Sequence, residues 1–193
     1  MIFMQIISTN ITDVKIVEPD VFGDARGYFF ETWNSEKYSR SGINCRWIQD
    51  NESCSGYGVL RGLHYQLPPY AQAKLVRVIS GKVLDVAVDI RKNSPTFGQY
   101  TAVELSDENK RQLFIPRGFA HGFAVLSEKA IFSYKCDNIY HPASERGIAF
   151  NDPDLAIDWQ IDLEKALLSA KDTRQPPLSR ADVFDYNTRE DWQ

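Results

Sequence analysis

Only three histidines, His64, His121 and His141, offer an acid–base group that titrates near neutral pH. His64 stands in the segment LRGLHYQ (residues 60–66), between apolar neighbours and three positions after Arg61. This setting places an ionisable ring on a half-buried strand. It is compatible with a general base in a pocket and equally with a core histidine satisfied by a hydrogen bond.

His121 stands in the segment IPRGFAHGF (residues 115–123), a Pro-x-Gly-x-x-His pattern that is common in cupin-type barrels. In metal-binding cupins this histidine works with two others spaced i and i+2, which face the barrel interior. The matching positions here are His64 and Gln66. Because a metal needs several converging ligands and His141 lies in a predicted turn, the sequence predicts no metal site. His121 is then a polar pocket residue or a structural one.

Other side chains capable of chemistry stand beside glycines or on predicted strands. Lys74 opens an apolar strand, where a lysine is commonly solvated. Arg61 and Arg26 each precede a glycine, which lets a ligand approach the backbone while the guanidinium binds phosphate. Tyr134 and Tyr140 lie on or just after a strand, where packing is the commoner role. Taken singly, none of these residues identifies a reaction.

The elements that must hold these groups are short and strand-like. Apolar and polar residues alternate in several runs, as in half-buried strands, and turn signals separate the runs. Strands are predicted over residues 14–17, 28–33, 47–51, 59–65, 74–79, 83–90, 99–105, 112–115, 119–126 and 130–136. Helix signals are limited to residues 34–40, capped by Asn34, and to a segment within 162–168. The pattern predicts an all-β fold, a sandwich or barrel of jelly-roll type with a few short helices.

Composition fits one soluble globular domain, since the 193 residues are 43% hydrophobic and 25% charged. A net charge of −4 argues against a nucleic-acid partner. No apolar run reaches the roughly 18 residues of a membrane span and no signal peptide is recognisable, so the cytoplasm is the expected compartment. Three scattered cysteines indicate reduced thiols. A single domain over residues 1–193 is predicted, with its core at 14–177 and a tail, 178–193, that packs loosely or along the surface.

Ten segments, in this order and at these intervals, form a pattern that covers nearly the whole chain. They are VFGDARGYFFE (21–31), QDN (49–51), VLRGLHYQ (59–66), KLVR (74–77), DVAVDIR (85–91), SPTFG (94–98), IPRGFAHGF (115–123), YK (134–135), NDP (151–153) and SAKD (169–172). Together they closely resemble the dTDP-4-dehydrorhamnose 3,5-epimerases of the rhamnose pathway. The resemblance implies a cupin-like jelly-roll barrel, a homodimer, and no metal or organic cofactor.

The resemblance also assigns roles to individual positions. The catalytic positions that it implies are His64 as the base, Asp172 as its carboxylate partner, Tyr134 as the acid and Lys74 near the substrate ketone. The substrate-binding positions that it implies are Phe22, Arg26, Glu31, Gln49, Asn51, Arg61, Asp85, His121, Tyr140 and Lys171. Among these, Phe22, Arg26 and Glu31 match positions that reach into the site of the neighbouring subunit.

The implied reaction converts dTDP-4-dehydro-6-deoxyglucose to dTDP-4-dehydro-L-rhamnose by epimerisation at C3 and C5. Both carbons flank a ketone, so their protons are acidic relative to other sugar protons, and no redox change is required. Four alternatives stay open at this point. They are an epimerase that inverts only one carbon, a sugar-nucleotide ketoisomerase on the same barrel, a metal-dependent cupin oxygenase, and a non-catalytic sugar-binding module.

Overall fold

A computed structural model describes residues 4–191, and most of its regular structure is short antiparallel strands. The strands are β1 Met4–Ser8, β2 Lys15–Pro19, β3 Phe22–Asp24, β4 Gly27–Phe29, β5 Gln49–Gly56, β6 Leu60–Gln66, β7 Lys74–Ser80, β8 Lys82–Asp89, β9 Arg91–Lys92, β10 Tyr100–Ser106, β11 Gln112–Ile115, β12 Phe119–Val125, β13 Lys129–Cys136, β14 Glu145–Gly147 and β15 Phe184–Asp185. The helices are α1 Ser35–Arg40 and the 3₁₀ turns Pro142–Ser144, Leu163–Lys165, Asp172–Arg174, Leu178–Arg180 and Tyr186–Asp191. The prediction of an all-β fold with short helices is confirmed.

Two antiparallel sheets form the barrel. The six-stranded sheet has the order β1-β2-β11-β7-β13-β5, and the five-stranded sheet has the order β10-β8-β12-β6-β14. Alternation explains why these segments are strands: in β10, Thr101, Val103 and Leu105 are buried, whereas Ala102 and Glu104 are exposed. Apolar side chains from both sheets meet in one cluster, which forms the barrel interior.

The outer face of the five-stranded sheet is also covered. Leu84, Val86 and Val88 of β8 pack there against Trp159 and other apolar residues of the C-terminal half. A strand that is buried on both faces needs a nearly continuous apolar sequence, which is what residues 83–90 provide. The C-terminal segment therefore holds this sheet from outside while the site lies inside the barrel.

The helix predicted over residues 34–40 is confirmed with its cap. Asn34 Oδ1 accepts hydrogen bonds from the backbone N–H groups of Glu36 and Lys37 at 3.1 and 3.2 Å. The helix predicted within 162–168 is wrong, because only the 3₁₀ turn at Leu163–Lys165 forms. The chain then becomes extended, since Leu167 exchanges backbone hydrogen bonds with Gly58 and Leu60 instead of continuing a helix.

The strand predicted over residues 28–33 is shorter, since β4 ends at Phe29. The carbonyl of Thr32 does not join a sheet. It accepts hydrogen bonds from the Tyr38 hydroxyl at 3.1 Å and from Gln112 Nε2 at 2.9 Å. Two side chains thus donate to the Thr32 carbonyl the hydrogen bonds that a neighbouring strand was expected to donate. In the part of the chain that the structure describes, no helix has the length and apolar character to cross a membrane.

The C-terminal tail is anchored more firmly than the sequence predicts. Phe184 is 3% exposed and packs against Tyr65, with ring centroids 6.2 Å apart. The Tyr65 hydroxyl donates to the carbonyl of Asp182 at 2.5 Å, and β15 pairs in parallel with β9. The expectation of loose packing is therefore wrong for this part of the tail, because Phe184 supplies apolar surface that the barrel buries.

Candidate active site

A cavity of about 700 Å³ opens into the barrel, within the usual range for small-molecule sites. The four side chains predicted to be catalytic, His64, Lys74, Tyr134 and Asp172, all line it. Further lining residues are Ser53, Val59, Leu60, Arg61, His121, Phe123, Phe132, Tyr140, Glu145, Leu167, Leu168, Ser169 and Lys171. Residues that are far apart in the sequence therefore share one pocket.

A β-bulge determines which side chains of β6 point into the cavity. His121 on β12 pairs with His64, but Phe123 pairs with Arg61, so two residues of β6 oppose one residue of β12. Simple alternation would put Arg61 and His64 on opposite faces, whereas both line the cavity. Gly62 makes the bulge possible: its φ is +144°, and a Cβ there would lie 2.5 Å from the Cα of Gly122. Only glycine fits this close approach.

His64 is held by a carboxylate from a distant part of the chain. Its Nε2 lies 2.5 Å from Asp172 Oδ1, and the other carboxylate oxygen accepts a 2.8 Å hydrogen bond from Ser169 Oγ. The His64 side chain is 26% exposed and that of Asp172 only 2%, so a ligand can reach the ring but not the acid. The ring is thus oriented while the cavity stays open to it.

The ionisation of Asp172 suits this role. Burial acts to raise the pKa of the carboxyl, but the hydrogen bond and charge of His64, together with the hydrogen bond from Ser169, hold it below its ordinary value. The carboxylate therefore remains negative near neutral pH and favours the imidazolium that forms when His64 takes up a proton.

A second histidine–carboxylate pair lies behind Lys74. His121 Nε2 lies 3.1 and 3.0 Å from the two oxygens of Asp85, which is fully buried, and His121 Nδ1 lies 3.5 Å from Lys74 Nζ. Burial lowers the pKa of His121 despite the charge of Asp85, which keeps the ring neutral. With its Nε2 proton directed to Asp85, the ring presents Nδ1 as an acceptor to the lysine ammonium.

Lys74 and Tyr134 come from adjacent strands of the six-stranded sheet. Lys74 Nζ lies 5.9 Å from the centroid of the Tyr134 ring. Burial lowers the pKa of Lys74, although the neighbouring Cys136 and Asp85 oppose this. Burial also raises the pKa of Tyr134, so its phenol keeps its proton near neutral pH. The cavity thus holds a tyrosine that can donate a proton and a lysine close to it.

The predicted nucleotide-binding residues lie next to this group. Gln49 and Asn51 line a recess that also contacts His64, Lys74 and Tyr134. Gln49 Nε2 donates to Asn51 Oδ1 at 3.0 Å, and its Oε1 accepts from the backbone N–H of Tyr140 at 2.8 Å. These hydrogen bonds fix one wall of the recess.

Arg61 supplies positive charge at the cavity. Its Nε and Nη2 atoms each donate to Ser55 Oγ at 3.2 Å. Within residues 4–188, no carboxylate lies within ion-pair distance of its guanidinium. An oriented guanidinium that has no acidic partner among these residues is suited to bind an anionic ligand.

Glu145 is a site residue that sequence reasoning missed. Its carboxylate accepts hydrogen bonds from Lys171 Nζ at 2.6 Å and from the Tyr140 hydroxyl at 2.9 Å. Burial would raise its pKa, but the hydrogen bonds from these two partners lower it. A glutamate in the segment ASERG gives no sequence signal, since the same pattern is common in solvated turns. Glu145 joins Tyr140 and Lys171, both predicted, at the cavity.

Phe22, Arg26 and Glu31 are not brought to the cavity of their own chain. Phe22 is 52% exposed on the β3–β4 hairpin. Arg26 forms an exposed ion pair with Asp24 at 2.5 Å, and Glu31 forms one with Lys37 at 2.7 Å. Their predicted role in a neighbouring subunit therefore stays a prediction.

Gln66 holds a loop at the position where a metal-binding cupin would have its second histidine. Its Nε2 donates to the carbonyls of Tyr70 and Ile139 at 2.7 and 3.1 Å, and its Oε1 accepts from the backbone N–H of His141 at 2.7 Å. The nitrogen and the oxygen of the Gln66 side-chain amide thus both form hydrogen bonds with backbone groups. Across the described residues, no three His, Cys, Asp or Glu side chains are grouped so as to hold a metal ion.

The fold and the site together define a cupin-like barrel with an acid–base pocket in its interior. The family model for dTDP-4-dehydrorhamnose 3,5-epimerase matches residues 8–180, and the chain belongs to this family. The resemblance seen in the ten sequence segments is thereby confirmed.

Individual relatives are similar to this chain over nearly their whole length. A dTDP-4-dehydrorhamnose 3,5-epimerase of Shigella flexneri is 54% identical over 182 residues, which are 94% of this chain and 99% of the relative. The dTDP-6-deoxy-D-glucose-3,5-epimerase of Legionella pneumophila, solved in complex with dTDP-4-keto-L-rhamnose, is 52% identical with a TM-score of 0.91 and covers 95% of this chain and 98% of its own. A 3′-monoepimerase of Streptomyces bikiniensis, solved with dTDP-quinovose, is 32% identical with a TM-score of 0.88. The match covers 95% of this chain and 94% of the monoepimerase.

Proposed function

We propose that this protein epimerises dTDP-4-dehydro-6-deoxyglucose at C3 and C5 to give dTDP-4-dehydro-L-rhamnose. The observation that carries the proposal is the 2.5 Å contact between His64 and Asp172 in a cavity that Lys74 and Tyr134 also line. Identities of 54% and 52% to 3,5-epimerases, against 32% to a monoepimerase, favour inversion at both carbons.

His64 is the base in this proposal. It removes the proton from the carbon next to the ketone, and the negative carboxylate of Asp172 stabilises the resulting imidazolium. Ser169 holds the second oxygen of Asp172, which keeps the carboxylate directed at the ring. The electron pair of the broken C–H bond moves into the ketone to form an enolate.

Lys74 and Tyr134 complete the proton transfers. The Lys74 ammonium, oriented by His121, donates to the enolate oxygen and stabilises its charge. The Tyr134 phenol, which burial keeps protonated, returns a proton to the opposite face of the carbon. Removal from one face and return to the other inverts the carbon and regenerates the ketone. Before the second carbon reacts, His64 releases its proton to water and Tyr134 takes up a proton from water, so the same residues can serve C3 and C5, which both flank the ketone.

The remaining predicted residues bind the substrate in this proposal. Arg61 and Lys171 bind the diphosphate, and Gln49 and Asn51 contact the nucleotide side of the recess. The enzyme acts as a homodimer, in which the exposed β3–β4 hairpin of one copy brings Phe22 and Arg26, and the segment just after it brings Glu31, to the cavity of the other. Exposure of Phe22, Tyr28 and Phe29 on this hairpin supports a contact with a second copy.

Proton exchange followed by NMR tests the proposed reaction. The protein, without added metal, is incubated in D₂O with dTDP-4-keto-6-deoxyglucose, and the products are analysed after reduction. Deuterium at both C3 and C5, with a rhamno-configured product, is the expected result. Deuterium at C3 or C5 alone would replace the proposal by a single-carbon epimerase. A product with the ketone at another carbon would indicate a ketoisomerase, and no exchange would remove the proposal.

A further inference from the structure

The segment that carries Tyr140 has no regular secondary structure. Residues 137–141 connect β13 to the 3₁₀ turn Pro142–Ser144 and form neither a helix nor a strand. Tyr140 lines the cavity from this segment and is 52% exposed. Connecting segments of this kind are ordinarily mobile, because they lack the ladder of hydrogen bonds that holds a strand. Other contacts must therefore fix Tyr140 if it is to present a constant surface to a ligand.

Side-chain amides take the place of a strand partner along this segment. Gln66 Nε2 donates to the carbonyl of Ile139 at 3.1 Å, and Gln66 Oε1 accepts from the backbone N–H of His141 at 2.7 Å. Gln49 Oε1 accepts from the backbone N–H of Tyr140 at 2.8 Å. Three consecutive residues are thus each held by a main-chain hydrogen bond to a glutamine, and Gln66 holds the two that flank Tyr140.

Gln66 also fixes the other side of its surroundings. Its Nε2 donates to the carbonyl of Tyr70 at 2.7 Å, and the Tyr70 ring stacks on His141 with centroids 3.9 Å apart and an interplanar angle of 11°. Because one amide binds both the loop after β6 and the segment after β13, these two connections cannot move independently while its hydrogen bonds are intact.

The hydroxyl of Tyr140 is held at the same edge of the five-stranded sheet. It donates to Glu145 at 2.9 Å, and Glu145 on β14 is the register partner of Gln66 on β6. Gln66 itself is only 4% exposed. Both the backbone and the tip of the half-exposed Tyr140 are therefore connected to one buried point of the sheet.

This arrangement orders Tyr140 before a ligand arrives. A ligand that had to order the side chain and its segment during binding would lose about three- to tenfold in affinity. Gln66 lies two residues after His64 and lines the same recess as His64 and Tyr140. A glutamine that served only the stability of the loops would not need this location.

We propose that Gln66 is a positioning residue that acts on substrate binding through Tyr140. The inference rests on the proposed function, since it assigns a further residue to the same site. Gln66 fixes the segment that presents Tyr140, and Tyr140 contacts the dTDP-sugar. The proton transfers at His64 do not depend on the Gln66 amide.

Gln66→Met tests the inference, because methionine nearly keeps the length of the side chain and removes the amide. Calorimetric titration is expected to show dTDP affinity reduced about three- to tenfold, and steady-state rates a similar rise in KM with kcat within about twofold of wild type. Thr101→Val is the matched control, since buried Thr101 on the opposite edge strand, β10, loses its hydrogen bond to Asn10. The control is expected to keep the wild-type affinity and KM.

The same titration in the Tyr140→Ala background shows whether the effect passes through Tyr140. Because two residues that act through one contact are not additive, Gln66→Met is expected to cause no further loss of dTDP affinity there. The same loss in both backgrounds would overturn the inference. Wild-type affinity in Gln66→Met alone, or a fall in kcat with an unchanged KM, would overturn it too.

Hydrogen exchange in the wild-type protein tests the inference without any variant. The backbone amides of Tyr140 and His141 are expected to exchange slowly before ligand is added, because Gln49 and Gln66 accept from them, and dTDP is expected to add little protection. Fast exchange that becomes slow only with dTDP would overturn the inference. Failure of the wild-type protein to bind dTDP would instead overturn the proposed function, so the two failures are distinguishable.

Discussion

His121 Nδ1 lies 3.5 Å from Lys74 Nζ, and the opposite nitrogen of the same ring contacts the fully buried carboxylate of Asp85. The negative charge of Asp85 thus interacts electrostatically with Lys74 across a neutral imidazole ring. Burial alone would favour a neutral amine, and Asp85 is one of the groups that oppose this. The arrangement keeps a buried lysine available as a positive donor to an enolate.

Replacing Asp85 by Asn is expected to shift the alkaline limb of the pH–kcat profile to lower pH. The substitution removes a charge that raises the pKa of Lys74, so the ammonium loses its proton more readily. Steady-state rates between pH 6 and 10 give the measurement, with melting curves to verify folding. Glu108→Gln, at an exposed turn, serves as the control and keeps the wild-type profile. An unchanged alkaline limb in Asp85→Asn would contradict the coupling.

Replacing His64 by Asn is expected to lower kcat by about 10²–10⁴-fold, the usual contribution of a general base. The dTDP affinity should change little, because the ring is partly exposed, whereas the melting temperature should fall, because the buried carboxylate of Asp172 loses the ring that stabilises it. Product formation followed by NMR measures the loss. A folded variant that keeps more than a few per cent of the activity would show that another group removes the proton.

Replacing Asp172 by Asn tests the pairing through its pH dependence. Because the folded-state pKa of Asp172 lies below that of the unfolded chain, its contribution to stability is complete above the ordinary carboxyl pKa of about 3.9. It is lost as pH falls through the lower folded-state value. The difference in the free energy of unfolding between wild type and Asp172→Asn should therefore shrink as the pH falls below about 4.

Urea unfolding at successive pH values measures this difference. If the difference in the free energy of unfolding does not change with pH, the Asp172 carboxylate is not stabilised by His64. Rates at neutral pH provide a separate readout, since the variant retains the imidazole but loses the charge that favours its protonated form.

Replacing Gly62 by Ala is expected to lower the free energy of unfolding by at least about 2 kcal/mol and to reduce kcat. The added Cβ has both an unfavourable φ of +144° and a clash with the Cα of Gly122. Gly27→Ala is the matched control, since Gly27 has a φ of +127° but no atom within 4 Å of the added Cβ. Equal losses in the two variants would show that backbone conformation alone, and not the close approach of the strands, matters.

Replacing Phe184 by Ala is expected to cost about 3 kcal/mol of unfolding free energy, as for other buried aromatic residues. Phe184 is 3% exposed and belongs to the cluster that covers the five-stranded sheet. Tyr57→Ala, at a side chain that is 59% exposed, should change stability by less than about 0.5 kcal/mol. Urea unfolding compares the two. A small effect of Phe184→Ala would restore the sequence-based expectation of a loosely packed tail.

Alternation of apolar and polar residues, together with turn signals, was enough to predict the all-β fold, because side chains of a half-buried strand repeat every two residues. The cap of α1 could also be predicted from the sequence, since Asn34 accepts hydrogen bonds from backbone N–H groups only two and three residues away. Local chemistry of this kind depends only on neighbours in the sequence. The ten ordered segments, read as a resemblance, indicated the family.

Contacts between distant residues were decided only by the tertiary structure. Asp172 contacts His64, which lies 108 positions away in the sequence, and Glu145 forms an ion pair with Lys171 at the cavity, without any local sequence signal that pairs them. The bulge at Gly62 puts Arg61 on the same face as His64, against the simple alternation of a strand. Sequence periodicity determines which residues can face inward, but register, bulges and chain crossings determine which of them meet, because these depend on packing between strands remote in the chain.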